Sequence, residues 1–326
     1  MQRTPKPADD ASKDHPGIKP YRSIDEALAD PQVDVVIITS IPDTHYAMCK
    51  AALQAGKHVV VEKPFVPTAS EADSLAQIAH ATGKKLAVYQ NRRWDADFAT
   101  LQQVLASGSL GDVAEFETHF DRHRPDAPAE SWKVKDEPGH GAIYDLGTHL
   151  IDQVYALYGA PQRVTGFVGN QRRGAVSGSA DSCTVLLHYE QRQLLATVKA
   201  GVVSPEVEQL RYWVRGTKGS FKKFHLDPQE DQLKGAKAGA PLPAGFGVEA
   251  EGRAAAVTTL GPGGELERRT WATVSPPPTY VEYYRVFGRA LRGEGEVPVR
   301  AEEARDVLRI IEAALLSSKE GRSVAL

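Results

Sequence analysis

Two runs constrain the fold more than anything else in the chain: VDVVIITS at 33–40 and KHVVVEKP at 57–64. Continuous β-branched stretches suit strands of a parallel sheet covered on both faces, where the polar alternation of a half-exposed strand is absent. Between them THYAMCKAALQAG has a helical pattern that stops at Gly56, a residue type that closes helices. SEADSLAQIAHATG repeats helix and glycine stop, and KKLAVYQNR supplies a third strand. Strand alternating with helix at this spacing predicts a doubly wound α/β parallel sheet. Upstream, SIDEALAD opens on a capping box, with Ser23 as N-cap and Glu26 three residues on.

After a helix at about 95–107 the texture changes. DVAEFETHF (112–120) alternates with period two, and so do SCTVLLHYE, QLLATVKAG and LRYWVRG. Such strands suit a mostly antiparallel open sheet. Residues 227–265, rich in Gly, Pro and Ala, read as loops and hairpin connections. AEEARDVLRIIEAALLSSKEG is an amphipathic helix with its glycine stop. Two domains follow: 1–110, a parallel nucleotide-type sheet, and 111–326, an α+β sheet domain whose last helix, about 301–320, is placed to pack back on the first. SCTVLLHYE and QLLATVKAG put apolar residues at both parities, so both faces of those strands are expected to be apolar and one to need a partner. A homodimer is the economical answer.

Composition narrows the function. Across 326 residues the net charge is −3, with no long basic run, which argues against nucleic-acid binding. Two cysteines, Cys49 and Cys183, are too few for a disulfide scaffold and read as free thiols of a reducing compartment. No stretch approaches the roughly 20 apolar residues of a membrane span, and the N-terminus lacks an apolar signal region. A soluble, cytoplasmic protein is the expectation.

The chemistry concentrates in YDLGTHLIDQ (144–153). Asp145 and His149 lie four apart, so an α-helix would place a carboxylate and an imidazole on one face. A satisfied structural pair is the plain alternative to a catalytic one. No third ligand lies at helical or turn spacing, so no metal is expected. Lys63 stands at the carboxyl end of a parallel strand, where open α/β sheets place ligands.

EKP after one strand, NRRW after the next and GAIYDLGTHLID on a later helix, in that order, resemble the glucose–fructose oxidoreductase, inositol dehydrogenase and rhizopine-catabolism (Gfo/Idh/MocA) family. The likeness runs from about residue 20 to the C-terminus. It implies an NAD(P)-dependent oxidoreductase acting on a secondary alcohol or ketone of a sugar or polyol, with sheet-to-sheet dimers. It implies Lys63, Asp145 and His149 as catalytic residues, the lysine and imidazole exchanging the substrate's hydroxyl proton. The loop IPDTHYA, with Ser40, Pro42, Asp43 and His45, would lie beneath the dinucleotide, although Asn is common where Asp43 stands. Glu62, Gln90, Arg93 and Trp94 are further cofactor candidates. Arg122, His123, Trp132 and His140 are candidates for substrate contacts. Gly141 and Gly147 would admit close approach by another chain or the cofactor.

One departure stands out. The family's nucleotide site needs a first strand and a G-x-G-x-x-G turn, and no such spacing occurs here. GFGVEAEG at 245–252 opens correctly, but its third glycine is misplaced. The expectation is that the chain starts one strand–helix–strand unit late and that cofactor binding is impaired. RTPKP then resembles the loop after the second strand, where Arg3, Thr4 and Lys6 lean toward the 2′-phosphate of NADP over NAD. A cofactor-binding sensor or regulator is the alternative function, and a cofactor-independent isomerase or cyclase reusing the pocket is another.

Overall fold

A computed structural model describes residues 11–126, 135–173, 178–237 and 239–326. Short helices α1 (Ala11–Asp14) and α2 (Ile24–Ala29) lead into β1 (Val35–Ile38). The Ser23 side chain caps α2 by accepting from the Glu26 backbone N–H. Helix α3 (Pro42–Gln54), β2 (His58–Val61), α4 (Ala69–Thr82) and β3 (Leu86–Val88) then complete a parallel sheet in the order β1–β2–β3. Val59, Val60 and Val61 of the middle strand are buried, which explains a run without polar alternation. Strand β1 departs from the expected two-sided burial. It is the outer strand among the described residues, and Ile37 is 51% exposed. At the other edge the Val88 N–H donates to the Val299 carbonyl at 3.2 Å, so the chain returns to this sheet late.

A 3₁₀ turn (Asn91–Trp94) and α5 (Ala96–Ala106) lead into a sheet of nine strands. These are β4 (Val113–Asp121), β5 (Arg163–Gly169), β6 (Ser182–Tyr189), β7 (Leu194–Gly201), β8 (Leu210–Gly216), β9 (Gly219–Phe224), β10 (Ala255–Leu260), β11 (Leu266–Trp271) and β12 (Val324–Ala325). Their order is β11–β10–β9–β8–β4–β7–β6–β5–β12, antiparallel except where β4 lies beside β7. A π-helical turn (Ile143–Gly147) followed by α6 (Thr148–Tyr158), together with α9 (Ala301–Glu320), packs on one face.

Helix α9 joins the two sheets. In the first half, the Ala69 N–H donates to Glu312 at 2.8 Å and Arg305 pairs with Asp73 at 3.1 Å. In the second, the Gly166 N–H donates to the Ser317 hydroxyl at 2.9 Å. A Cβ on Gly166 would stand 2.2 Å from the Ala314 carbonyl oxygen, so only glycine lets helix and strand meet this closely.

Two expectations change. Residues 227–265 are not all connection: they hold α7 (Gln229–Gly235) and β10, and beyond them α8 (Tyr280–Leu291) is an amphipathic helix. The outward face of the large sheet is mixed instead of apolar. Cys183, Val185 and Leu187 of β6 are buried, while Thr184, Leu186 and His188 alternate with them outward. On β7 the outward positions are Leu195, Thr197 and Lys199. Among the described residues no helix is long and apolar enough to cross a membrane, and Cys49 and Cys183 are buried free thiols.

Candidate active site

The carboxyl end of β2 delivers Glu62 and Lys63 to a cavity of about 240 Å³, which Asp145 and His149 also line. The Lys63 ammonium donates to the Asp145 backbone carbonyl at 2.6 Å and to its carboxylate at 3.1 Å. Asp145 sits in the π-helical turn, not in the α-helix its spacing suggests. Single π turns recur at functional sites because the extra residue re-aims side chains out of the regular helical pattern. Gly141, just upstream, has φ +85° and would place a Cβ 2.9 Å from the Ala180 carbonyl oxygen. The neighbour admitted there is the 179–180 segment, whose Ala180 carbonyl accepts from the Ala142 N–H at 2.8 Å.

His149 begins the regular part of the helix and is buried, its ring stacked on Phe120 at 6.3 Å. Its Nδ1 has no hydrogen-bond partner, so the Asp145 carboxylate does not orient the ring through that atom. Burial, and after it the charges of Lys63, Arg92, Arg211 and Arg122, hold the imidazole well below its ordinary pKa of 6.5. The side chain is therefore neutral at pH 7 and able to accept a proton.

Across the cavity stand three groups on other elements. Arg92 and Arg122 each place a guanidinium 4.7 Å from the Phe120 ring centre. Glu230, on α7, makes an ion pair with Arg92 and a looser one with Arg122 at 3.5 Å. Burial opposes ionisation of Glu230, but Arg92, a hydrogen bond from Lys234 and Arg122 bring its carboxyl down to about 2. Of these, sequence reasoning named only Arg122. In NRRW it favoured Arg93, but neighbours on a 3₁₀ turn point about 120° apart. Arg92 faces the cavity, and Arg93 turns away to a bidentate contact with Asp152 at 2.8 Å.

The other expected contacts among the described residues fall outside the cavity lining. His45 is fully buried, with Nδ1 3.1 Å from the carbonyls of Pro64 and Phe65 and Nε2 3.0 Å from that of Ser40. Both nitrogens face backbone carbonyls, to which the ring's N–H donates, so the ring braces the loops after β1 and β2. The Ser40 hydroxyl lies 2.6 Å from that of Thr44, and Pro42 is in the first turn of α3. Asp43 pairs with Lys135 at 3.0 Å and faces buried His140 at 3.2 Å. Gln90 is buried against Thr148, Trp94 packs edge-on to Tyr283, and His123 bridges to Val203 through the backbone. Arg3, Thr4 and Trp132 lie outside the described residues.

Comparison with known proteins agrees with this geometry. Residues 1–90 match the family described as "Oxidoreductase family, NAD-binding Rossmann fold", and residues 98–222 match the "GFO/IDH/MocA C-terminal domain". The chain is 41% identical to the oxidoreductase YdgJ of Escherichia coli over 298 residues, covering 91% of this chain and 82% of the relative. It is 36% identical to scyllo-inositol 2-dehydrogenase (NADP(+)) IolW of Bacillus subtilis over 318 residues, covering 98% and 86%. The solved structure of the oxidoreductase yvaA from Bacillus subtilis superposes with a TM-score of 0.89 at 36% identity, covering 97% of this chain and 87% of that one. With its parallel sheet, its open antiparallel sheet and both family domains matched, the chain belongs to the Gfo/Idh/MocA oxidoreductases.

Proposed function

We propose that this chain oxidises a secondary alcohol of a polyol or sugar, or reduces the corresponding ketone, with a nicotinamide dinucleotide as the redox partner. The observation that carries the reading is the meeting of Lys63, Asp145 and a neutral, buried His149 in one cavity at the end of a parallel strand. A nicotinamide fits the residues present. Glu62, Lys63 and the Ser40–Pro42 segment follow the carboxyl ends of β2 and β1, where open α/β sheets hold nucleotides. Held there, a nicotinamide would supply the hydride acceptor for the carbinol carbon. His149 accepts the hydroxyl proton, its unpartnered Nδ1 being a buried polar atom that a substrate hydroxyl would satisfy. Lys63 donates to the same substrate oxygen and stabilises the charge that grows on it. Asp145 holds the ammonium in place.

NADP is the preferred dinucleotide in this reading. Arg3, Thr4 and Lys6 support it, as does the NADP(+) in the name of the Bacillus relative. A second copy is the proposed partner, meeting the open sheet face that carries Phe167, 64% exposed, and Leu195. The test of function is scyllo-inositol with NADP+, followed by the absorbance of reduced nicotinamide. Turnover is expected at high NADP+ concentration, because no G-x-G-x-x-G turn for the pyrophosphate occurs in the sequence. No reduced nicotinamide with any of a panel of cyclic polyols and aldoses would reject the reading.

A further inference from the structure

We infer that Glu230 and Arg122 select the substrate, and that what they select is a neutral compound with hydroxyls beside the reacting carbon; this rests on the dehydrogenase reading above. Charge comes first. The cavity wall holds three cations, Lys63, Arg92 and Arg122, and three carboxylates, Glu62, Asp145 and Glu230. With the two signs balanced, the wall as a whole draws in neither a carboxylate nor an ammonium ligand. A hydroxyl is both donor and acceptor and pairs with either sign.

Geometry comes second. Glu230 is anchored from behind by Arg92, itself almost wholly buried, and by Lys234. Arg122 is fixed at its backbone, its N–H donating to the Gly201 carbonyl at 2.9 Å and its own carbonyl accepting from Ser204 at 3.0 Å. Its Nη2 stands 3.5 Å from both Glu230 oxygens, the outer limit of a hydrogen bond. A substrate hydroxyl satisfies that pair better than they satisfy each other, by donating to the carboxylate and accepting from the guanidinium. Placement comes third. The two residues come from α7 and the end of β4, not from the β2, π-turn and α6 elements that bring Lys63, Asp145 and His149. In this inference they read substrate hydroxyls other than the one that reacts.

The test compares scyllo-inositol with cyclohexanol, which lacks neighbouring hydroxyls, in the wild type, Glu230→Gln, Arg122→Met and the double variant. Calorimetric binding of scyllo-inositol is measured on the same proteins. The ratio of kcat/KM for scyllo-inositol over cyclohexanol should fall about tenfold or more in each single variant, through KM and not kcat, with the pH profile unmoved. A purely structural role would lower both substrates together and leave the ratio intact, which overturns the inference. Circular dichroism checks folding, and if Glu230→Gln fails to fold for want of Arg92's partner, Arg122→Met decides alone. Wild type that binds scyllo-inositol but oxidises none of the panel of cyclic polyols and aldoses rejects the dehydrogenase reading, and the binding series then judges this inference separately. Wild type that does not bind scyllo-inositol, or that binds gluconate more tightly, overturns it outright.

Discussion

The ammonium of Lys63 reaches across the molecule to Asp145, 2.6 Å from its carbonyl oxygen and 3.1 Å from its carboxylate. One residue ends a strand of the small parallel sheet, and the other lies in the π turn against the large sheet. The contact ties the groups of the candidate site together across two layers, and either side's loss should be felt in turnover before stability. Lys63→Ala and His149→Ala are each expected to lower kcat by about 10²-fold or more, the range for lost acid–base catalysis. Steady-state kinetics with a cyclic polyol checks this, and unchanged turnover in both variants would reduce the constellation to scaffolding.

The depressed imidazole of His149 has a consequence for stability. A histidine whose folded pKa lies below its unfolded value takes up a proton on unfolding, so stability is full above about pH 6.5 and is lost as pH falls below it. The slope from one such group is at most about 1.4 kcal/mol per pH unit. Urea unfolding at pH 7 and pH 5.5 should therefore show a smaller pH difference for His149→Gln than for the wild type. Equal differences in the two proteins would mean that His149 titrates normally.

Arg211 of β8 is completely buried and donates to Asp97 of α5 at 2.8 Å and to Gln153 of α6 at 2.7 Å. Arg211→Met leaves the Asp97 carboxylate buried without its charge partner and should cost about 3–5 kcal/mol. Pairing it with Asp97→Leu should recover a good part of that loss. A double variant as unstable as the sum of the two singles would show that the two side chains carry no coupling energy and would overturn this account.

Gly166→Ala drives a methyl group into the α9 backbone at Ala314. Overpacking of this kind is expected to cost about 1–3 kcal/mol. Chemical denaturation measures it, and a neutral result would show that α9 can slide on β5.

The dimer is read by light scattering coupled to size exclusion at micromolar concentration. Twice the mass of one chain is expected. Phe167→Glu on the open sheet face should shift the population toward monomer, and wild type that elutes with the mass of one chain refutes the proposal.

What the chain's order of residues determines by itself is the class of fold and the chemistry-bearing motifs. Strands buried on both faces must be apolar at every position, so Val59, Val60 and Val61 announce a parallel sheet without any knowledge of their neighbours. Lys63, Asp145 and His149 were legible because each sits in a short local pattern. That Arg92 and not Arg93 lines the cavity was not legible, because the direction of a side chain on a 3₁₀ turn is not written in the four letters NRRW. Glu230 was invisible for a different reason. Its helix has one buried residue and so no apolar stripe to betray it. Its place depends on contacts far along the chain: the Gln229 amide donating to the Trp94 carbonyl at 3.0 Å, and Asp227 accepting from the Ala96 N–H at 2.7 Å. Periodicity records which face of an element is buried. Only the folded chain decides which distant groups that face brings within hydrogen-bonding reach.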